Sequence, residues 1–434
     1  MRWQRLASAL AVVAVIGAGC SGGSPKTTSS GPPGQTAQSH EEVTLDFWVT
    51  EEGQDEFLDA LVKGFEAKYP YIHINLTAFP EDNYGTKIET AIAAGNPPDL
   101  GAIANLRWLR EGKVLPLDDL VKSDGIDLSS YNSSIIGDTT HVNGEFGCEF
   151  QGKLYCLGSY LGAVGVFYNK DMFEAHGITP PAPYPPMSID QFVDTACTLT
   201  DKDKGIWGGA YGYPVTVLPW ETEFSEDGRE AIVNSPTAVH AYDVMAKGIR
   251  EGCAPSLSTM DPWEQGADYF SQGKLGMVVT DLQSFKKIEK AGINYGVTFP
   301  PTADSVEPFL QTWTDTFCVF AGTEHPDEAK LFIAYQTTEG QRLRVQVTGD
   351  MPISTAVADK MNWAGGIPGR EEALQVVPHA RPAVFIPNRW DTVGAVFEAF
   401  DKIVGGESAQ QALDDAEPKV QADLDKAWKE WDAG

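Results

Sequence analysis

The stretch VTLDFWVTEEGQDEFLDALVKGFEAKYPYIHINLTAF, residues 43–79, decides the fold class of this chain. Its first eight residues alternate apolar and polar side chains, which is the period of a β-strand with one buried face. Residues 55–70 then repeat apolar side chains at helical spacing, and Pro70 lies beyond the last turn. Residues 71–79 alternate again. A strand, a helix and a second strand in this order predict a parallel pair joined by a right-handed crossover.

The alternation of strands and helices continues along the chain. Further strands are predicted at residues 97–104, 163–169 and 274–281, and further helices at residues 83–95, 188–200, 325–338 and 408–432. The last helix is expected to break at Pro418, because proline lacks the amide hydrogen that a helix interior uses. The pattern predicts an α/β fold. At 434 residues the chain exceeds what one core usually organises, so two lobes are expected.

The N-terminus has the pattern of an export signal. Residues 6–18 are an apolar run that follows two arginines and is shorter than the roughly 20 residues that span a bilayer. This predicts a secretory signal at residues 1–19. Three small residues lead into Cys20, which resembles the lipobox of bacterial lipoproteins, although Gly17 stands where Leu or Val is usual. An ordinary signal with a coincidental cysteine is the alternative.

A polar segment follows the expected lipidation site. Residues 20–42 are rich in Ser, Gly, Thr, Pro and Gln, and such a composition cannot bury enough apolar surface to form a core. We expect a lipidated flexible tether that begins at Cys20 and holds the protein on the outer face of a bacterial cell membrane. No later segment is long and apolar enough to span a membrane.

The formal net charge of −29 narrows the range of partners. A surface this acidic repels nucleic acid and anionic headgroups, so contact with the membrane is expected through the lipid anchor only. The charge also disfavours polyanionic ligands. We expect a monomer.

Six cysteines are present in a chain that is expected to be exported. Cys148 and Cys156 flank a Gln-Gly hairpin turn at residues 151–152, which would place the two thiols nearly opposite each other. A disulfide between them is therefore predicted. Cys197 and Cys253 form the plausible second bridge in an oxidising compartment.

The remaining cysteine, Cys318, lies in the apolar run FCVFAG and is predicted to be a buried free thiol. No CxxC or HExxH motif occurs, and the segment from Asp201 fails the spacing of a calcium loop. We therefore expect neither a metal site nor a cofactor.

The order of several segments resembles the bacterial extracellular solute-binding proteins of carbohydrate ABC importers, the group related to maltose-binding protein. The segments are LDFWVTEEGQDEFLDALVKGFEAKYP, AAGNPPDL, VLPLDDL, GKLYCLGSYLGAVGVFYNKDMFEAHGI, FSQGKLGMVV and IVGGESAQQALDDA. The resemblance implies a two-lobe periplasmic-binding-protein-like (type II) fold with several hinge crossings. It also implies an interlobe cleft that binds a carbohydrate and a permease that receives it.

The resemblance also implies lobe boundaries. The N-terminal lobe is expected to comprise residues 43–159 plus 300–355, and the C-terminal lobe residues 160–299 plus 356–434. The chain is expected to cross between the lobes near residues 159–161, 295–301 and 352–357.

Three tryptophans occur in loop-like contexts that suit a sugar site, because a flat aromatic ring packs against the apolar face of a sugar. They are Trp220, Trp313 and Trp390. The resemblance favours Trp390, whose position stacks on a sugar ring in relatives, and Trp313. For each of them the alternative is an aromatic side chain that simply covers the core.

Polar candidates follow the predicted strands or lie at the first crossing, where ligands bind in open α/β sheets. They are Glu51, Glu52, Asn83, Tyr84, Asn105, Arg107, Tyr160, Asp281 and Asp315. Relatives carry an Asp-Arg pair and a Trp where this chain has Leu106-Arg107 and Gln283. These departures argue against maltose and suggest a smaller or more polar ligand.

Two other functions remain open. A secreted glycoside hydrolase needs only two carboxylates, for example Glu221 with Asp315, but no sequence feature fixes their separation. No GxSxG motif occurs. A binder of glycerophosphodiesters or polyols could use Arg107, Arg381 and Arg389, against which the net charge argues. We therefore expect a binder rather than an enzyme.

Overall fold

The computed structural model describes residues 41–50, 56–132, 135, 149–303, 305–308, 310–380, 384–387 and 389–433. Residues from Glu42 to the C-terminus form one compact unit. The predicted signal and most of the tether, with Cys20, lie outside the described residues. In the described part of the chain, no helix has both the length and the apolar character needed to cross a membrane.

The strands in the described residues fall into three sheets. In chain order they are β1 (Val43–Thr50), β2 (Ile72–Phe79), β3 (Leu100–Ala102), β4 (Glu149–Phe150), β5 (Lys153–Leu154), β6 (Gly162–Asn169), β7 (Trp207–Ala210), β8 (Leu275–Asp281), β9 (Tyr295–Thr298), β10 (Thr312–Trp313) and β11 (Phe317–Val319).

Helices cover the larger sheets. In chain order they are α1 (Glu56–Lys68), α2 (Glu81–Ala93), α3 (Arg107–Arg110), α4 (Asp118–Ser123), α5 (Lys170–Ala175), α6 (Ile189–Leu199), α7 (Pro214–Val217), α8 (Pro236–Arg250), α9 (Pro262–Ser271), α10 (Phe285–Lys290), α11 (Pro326–Tyr335), α12 (Gln341–Val347), α13 (Thr355–Met361), α14 (Pro368–Val376), α15 (Arg389–Thr392), α16 (Gly394–Val404) and α17 (Ala409–Ala433).

The first sheet has the order β11-β3-β1-β2 and organises the N-terminal lobe. β1 pairs with both β2 and β3 in parallel, which confirms the strand–helix–strand prediction from residues 43–79. β11 joins the edge antiparallel to β3. Alternate residues of β1 are buried, as its sequence pattern predicted.

The second sheet organises the C-terminal lobe and is mixed rather than parallel. β6 runs antiparallel to β8, β9 and β10, and only β7 and β8 are parallel. Every residue of β6 is buried. One apolar core lies on the side of Phe167 and continues into the N-terminal lobe, and a second lies on the side of Val166. A strand covered on both faces has no polar alternation, which explains its continuous apolar sequence.

The cysteine predictions agree with the structure where it describes them. Cys197 and Cys253 form a disulfide, and Cys318 is a buried free thiol. β4 and β5 form the expected hairpin, with positive φ angles at both turn residues, Gln151 and Gly152. Cys156 is disulfide-bonded. Its predicted partner, Cys148, lies outside the described residues.

The expected break at Pro418 is wrong. α17 continues through this proline from Ala409 to Ala433. Leu413 on one side of it and Val420 and Leu424 on the other are fully buried. Burial of one apolar stripe along both halves stabilises the helix more than the missing backbone hydrogen bond destabilises it.

The strand pairing places the second passage of the chain between the lobes later in the sequence than predicted. β9 lies within the C-terminal sheet, and β10 pairs with β6 of the same sheet. The chain reaches the N-terminal sheet only at β11, after Thr316, so the passage lies between β10 and β11 rather than near residues 295–301. The lobe boundaries, together with this later position for the boundary at residue 300, stay a proposal.

Candidate functional site

Two chain segments from opposite lobes meet at the carboxyl end of β3. Asn105, Leu106 and Arg107 line a cavity of about 50 Å³ together with residues 385–387 and the last turn of α17. The carboxyl ends of strands in open α/β sheets are where ligands bind. This junction therefore marks one edge of the candidate interlobe site.

Tyr160 and Trp313 form a contact at the first crossing. The indole N–H of Trp313 donates to the Tyr160 hydroxyl, and burial raises the pKa of that hydroxyl above its usual value. Trp313 belongs to β10 and lies opposite Gly162 of β6. A side chain at Gly162 would collide with the indole, so the glycine is what allows Trp313 to lie across the strand. Trp313 remains half-buried.

The carboxylate of Asp315 is hydrogen-bonded to neighbouring protein groups. Its Oδ2 accepts hydrogen bonds from the Ser159 backbone N–H (3.3 Å), the Ser159 hydroxyl and the Gln336 amide (3.2 Å). The Arg344 guanidinium lies 3.9 Å from its other oxygen. Its side chain is only 9% exposed. Asp315 therefore fixes the crossing segments in this structure, and we leave it out of the proposed ligand contacts.

Asp281 ends β8 beside a second buried carboxylate. Burial raises the pKa of Asp281, the charge of Asp350 adds to this, and nearby backbone N–H groups oppose it. Asp281 remains half-buried. An acceptor in this position suits a ligand hydroxyl, so Asp281 stays in the proposed site.

Trp220 and Trp390 lie against the same arginine. The guanidinium carbon of Arg389 is 3.8 Å from the ring centroid of Trp220 and 4.4 Å from that of Trp390. Arg389 is buried, and its Nη2 donates to the Val215 carbonyl. Trp220 is 6% exposed, whereas Trp390 is 41% exposed. Trp220 thus belongs to the core in this structure, and Trp390 presents an aromatic surface backed by a fixed guanidinium.

A buried acid, Glu223, lies near the Arg389 guanidinium on which the two tryptophans pack. Glu223 is fully buried and accepts a hydrogen bond from the Tyr242 hydroxyl at 3.2 Å. Burial raises the pKa of Glu223 to about 8, although the nearby Arg389 charge opposes the shift. The acid-rich sequence around residue 223 contained no signal that this carboxyl, among its neighbours, would be enclosed.

The candidates near β3 differ in accessibility. Tyr84 is 2% exposed, and its hydroxyl bonds to backbone groups of Trp48 and Ala102. It joins β1 to β3 here and is left out of the proposed site. Asn105 donates to Glu89 and accepts from the backbone N–H of Arg107.

The remaining candidates are at the surface or outside the described residues. Asn83 and Arg107 are exposed, and Arg107 pairs with Glu111 at 3.6 Å. Glu51 and Glu52 lie outside the described residues.

The structure brings the predicted residues into three groups rather than one. Tyr160 and Trp313 lie at the crossing, Trp220 and Trp390 lie around Arg389, and Asn105 and Arg107 line the interlobe cavity. Sequence reasoning missed three contributors, Glu223, Arg344 and Trp431. All three depend on contacts between residues far apart in the chain, which no local pattern reports.

The fold and the comparisons with known proteins define the class of the protein. A family profile described as bacterial extracellular solute-binding protein matches residues 50–343. The chain belongs to this family. Its members bind solutes rather than act as enzymes, which confirms the prediction of a binder and places the protein outside the cytoplasm.

Two relatives illustrate the range of the family. The diacetylchitobiose binding protein of Streptomyces coelicolor is 26% identical over 310 residues, 67% of this chain and 68% of the relative. The sn-glycerol-3-phosphate-binding periplasmic protein of Shigella dysenteriae is 24% identical over 411 residues, 86% of this chain and 91% of the relative.

A solved structure supports the fold. The ABC substrate-binding protein of Listeria monocytogenes in complex with cycloalternan superposes with a TM-score of 0.70 at 20% identity. The match covers 88% of this chain and 99% of the other. This likeness confirms the predicted two-lobe fold.

Proposed function

We propose that this protein is a lipid-anchored receptor that binds a carbohydrate between its lobes and delivers it to an ABC-type permease. The observation that carries the proposal is Trp390, a residue that is 41% exposed while its neighbour Arg389 is buried against its ring. A large aromatic ring held at the surface by a rigid support is suited to stack on the apolar face of a sugar.

The polar contacts in the proposal come from both lobes. Asn105 and Arg107 belong to the N-terminal lobe, and Asp281 and Trp313 to the C-terminal sheet. Planar amide, carboxylate and guanidinium groups match the alternating donors and acceptors of sugar hydroxyls. A ligand held by groups from two lobes favours the arrangement in which the lobes are closed.

The anchor is proposed from the sequence alone. Small residues lead into Cys20, and a polar tether follows before β1. Multiple acyl chains at Cys20 would retain the protein at the membrane, because one chain alone gives marginal binding.

A phosphorylated polyol is the second candidate. The relative from Shigella dysenteriae motivates it, and Lys286, Lys287 and Lys290 line a cavity of about 520 Å³ with Gln283 and Asp350. Two of these lysines are already engaged, Lys286 with the Val347 carbonyl and Lys287 with Asp268. Arg389 is buried. We therefore propose a carbohydrate, rather than a phosphorylated polyol, as the ligand.

A thermal-shift screen of the Glu42–Gly434 unit tests the choice. Mono- and oligosaccharides, polyols, glycerophosphodiesters and glycerol 3-phosphate are added separately, and a ligand specific to the folded state raises the melting temperature. We expect a saccharide to do so and to be recovered chemically unaltered. A shift with phosphorylated polyols only would overturn the carbohydrate proposal in favour of the second candidate.

A further inference from the structure

The last turn of α17 reaches across to the N-terminal lobe. Arg110 of α3 donates from Nη1 to the backbone carbonyl of Trp431. The guanidinium carbon of Arg110 also lies 4.7 Å from the Trp431 ring centroid. Phe150, in the hairpin of the N-terminal lobe, contacts the same indole edge-to-face at 6.0 Å. One tryptophan near the C-terminus therefore receives three contacts, from two residues of the opposite lobe.

The C-terminal lobe holds this turn in place. The indole N–H of Trp428 donates to the Gly228 carbonyl at 2.6 Å, and the Arg229 guanidinium lies 3.9 Å from the Trp428 ring. Arg229 also pairs with Asp432 at 3.2 Å. These contacts fix the residues on both sides of Trp431 to the loop before α8. A movement of the C-terminal lobe must therefore carry Trp431 with it.

The contact lies at the edge of the candidate site. Trp431 lines the cavity of about 50 Å³ together with Asn105 and Arg107. Phe385, 4.9 Å from the Trp431 ring, lines the same cavity and precedes Arg389 and Trp390 by a few residues. A gap of this size admits one or two water molecules and no sugar. The lobes are thus in contact at this edge, and the cavity itself does not hold the proposed sugar.

We propose that Arg110, Phe150 and Trp431 form an interlobe latch that raises ligand affinity by stabilising the closed arrangement of the lobes. Arg110 and Trp431 are positioning residues in this proposal, because they act through the lobe arrangement. The claim that the latch raises ligand affinity rests on the proposed function. The claim that it stabilises the closed arrangement of the lobes concerns the ligand-free protein alone.

The physical basis is that Arg110 and Trp431 belong to different lobes, so that their contact is lost when the lobes separate. A charge-assisted hydrogen bond and a cation–π contact lower the free energy of the closed state. Less of the ligand's binding free energy is then needed to close the lobes. Such a contact must break before the ligand leaves. Its loss is therefore expected to raise the dissociation rate more than it lowers the association rate.

The test compares Trp431→Ala and Arg110→Ala with a matched control, Lys429→Ala. Lys429 is an exposed residue on the same helical turn. Small-angle scattering of the ligand-free protein measures the radius of gyration, and urea unfolding checks that each variant is folded. We expect both latch variants to be more expanded than the wild type and the control. An unchanged radius of gyration in both would overturn the proposal, whether or not a ligand is known.

A second measurement uses the saccharide found in the screen. We expect the latch variants to raise Kd by roughly 3- to 30-fold, the loss expected for one such pair of contacts, mainly through faster dissociation. Trp431→Phe, which keeps a ring, should recover part of the affinity. Affinity and dissociation rate equal to those of Lys429→Ala would contradict the latch. If the screen finds no saccharide, the scattering result still decides the proposal.

Discussion

Arg344 and Asp350 form a buried ion pair, with Nε and Oδ2 separated by 2.7 Å and both side chains less than a tenth exposed. The same guanidinium lies 4.2 Å from the Tyr160 ring and 4.3 Å from the Phe57 ring. One arginine thus joins α12 to the first crossing and to α1. Burial raises the pKa of Asp350, and Arg344 is the main opposing influence.

Arg344→Met should destabilise the fold strongly, because it leaves the Asp350 carboxylate buried without its partner. We expect a loss of about 3–5 kcal/mol in the free energy of unfolding, measured by urea denaturation. The double variant Arg344→Met with Asp350→Asn removes both charges of the pair and should recover part of this loss, because the buried Asp315 also loses its contact with Arg344. A single variant within about 1 kcal/mol of the wild type would show that the pair contributes little.

Trp390→Ala should weaken ligand binding without unfolding the protein, because its ring is 41% exposed. We expect an affinity loss of about 1–3 kcal/mol by calorimetric titration. Trp220→Ala is the matched control, since Trp220 packs on the same Arg389 but is buried. Its truncation should instead cost about 3–5 kcal/mol of folding stability. Native affinity in folded Trp390→Ala would remove this residue from the site.

Glu223 should make the stability of the fold fall as pH rises. Its pKa is about 8 in the folded protein against an ordinary value of 4.5. Between these values the folded state holds a proton that the unfolded state has released. The stabilisation is therefore complete below about pH 4.5, is lost as pH approaches 8, and changes no further above that.

Glu223→Gln isolates this effect, because it keeps the shape of the side chain and an acceptor for Tyr242. Urea unfolding of both proteins at several pH values between 5 and 8 gives the difference in stability. We expect the wild type to lose stability relative to the variant across this interval. Parallel curves would mean that the carboxyl titrates at its ordinary pKa.

Cys20→Ala should release the protein from the membrane fraction, since the tether offers no other apolar attachment. Fractionation of cells that express the full chain, with immunodetection, measures the distribution. Ser21→Ala is a suitable control, because it changes the neighbouring residue and keeps the thiol. Retention at the membrane of Cys20→Ala protein from which residues 1–19 have been removed would contradict the proposed anchor.

Local patterns predicted most elements of the fold. Residues 43–50 alternate because β1 has one face on the core, and the capping box of Ser188 and Gln191 begins α6 where the sequence indicated. Such local patterns did not predict the relative direction of the strands in the C-terminal sheet. Since β6 is buried on both faces, its sequence is equally compatible with parallel or antiparallel neighbours.

The candidate site was less predictable than the fold. Trp220 and Trp390 had similar loop contexts in the sequence, yet one is enclosed and the other exposed. Arg389 separates them, and its burial depends on residues 215 and 223, more than 160 positions away in the chain. Exposure at such sites follows from long-range packing, which neither composition nor spacing reports.

The enclosure of Cys318 has a consequence for how the chain acquires its disulfides outside the cytoplasm. Burial raises the pKa of this thiol well above its usual range, so the thiolate needed for disulfide exchange is scarce once β11 has joined β3. Among the five cysteines after Cys20, only four then compete for partners, which leaves three possible pairings. Early formation of the N-terminal sheet would thus keep Cys318 out of incorrect disulfides during oxidative folding.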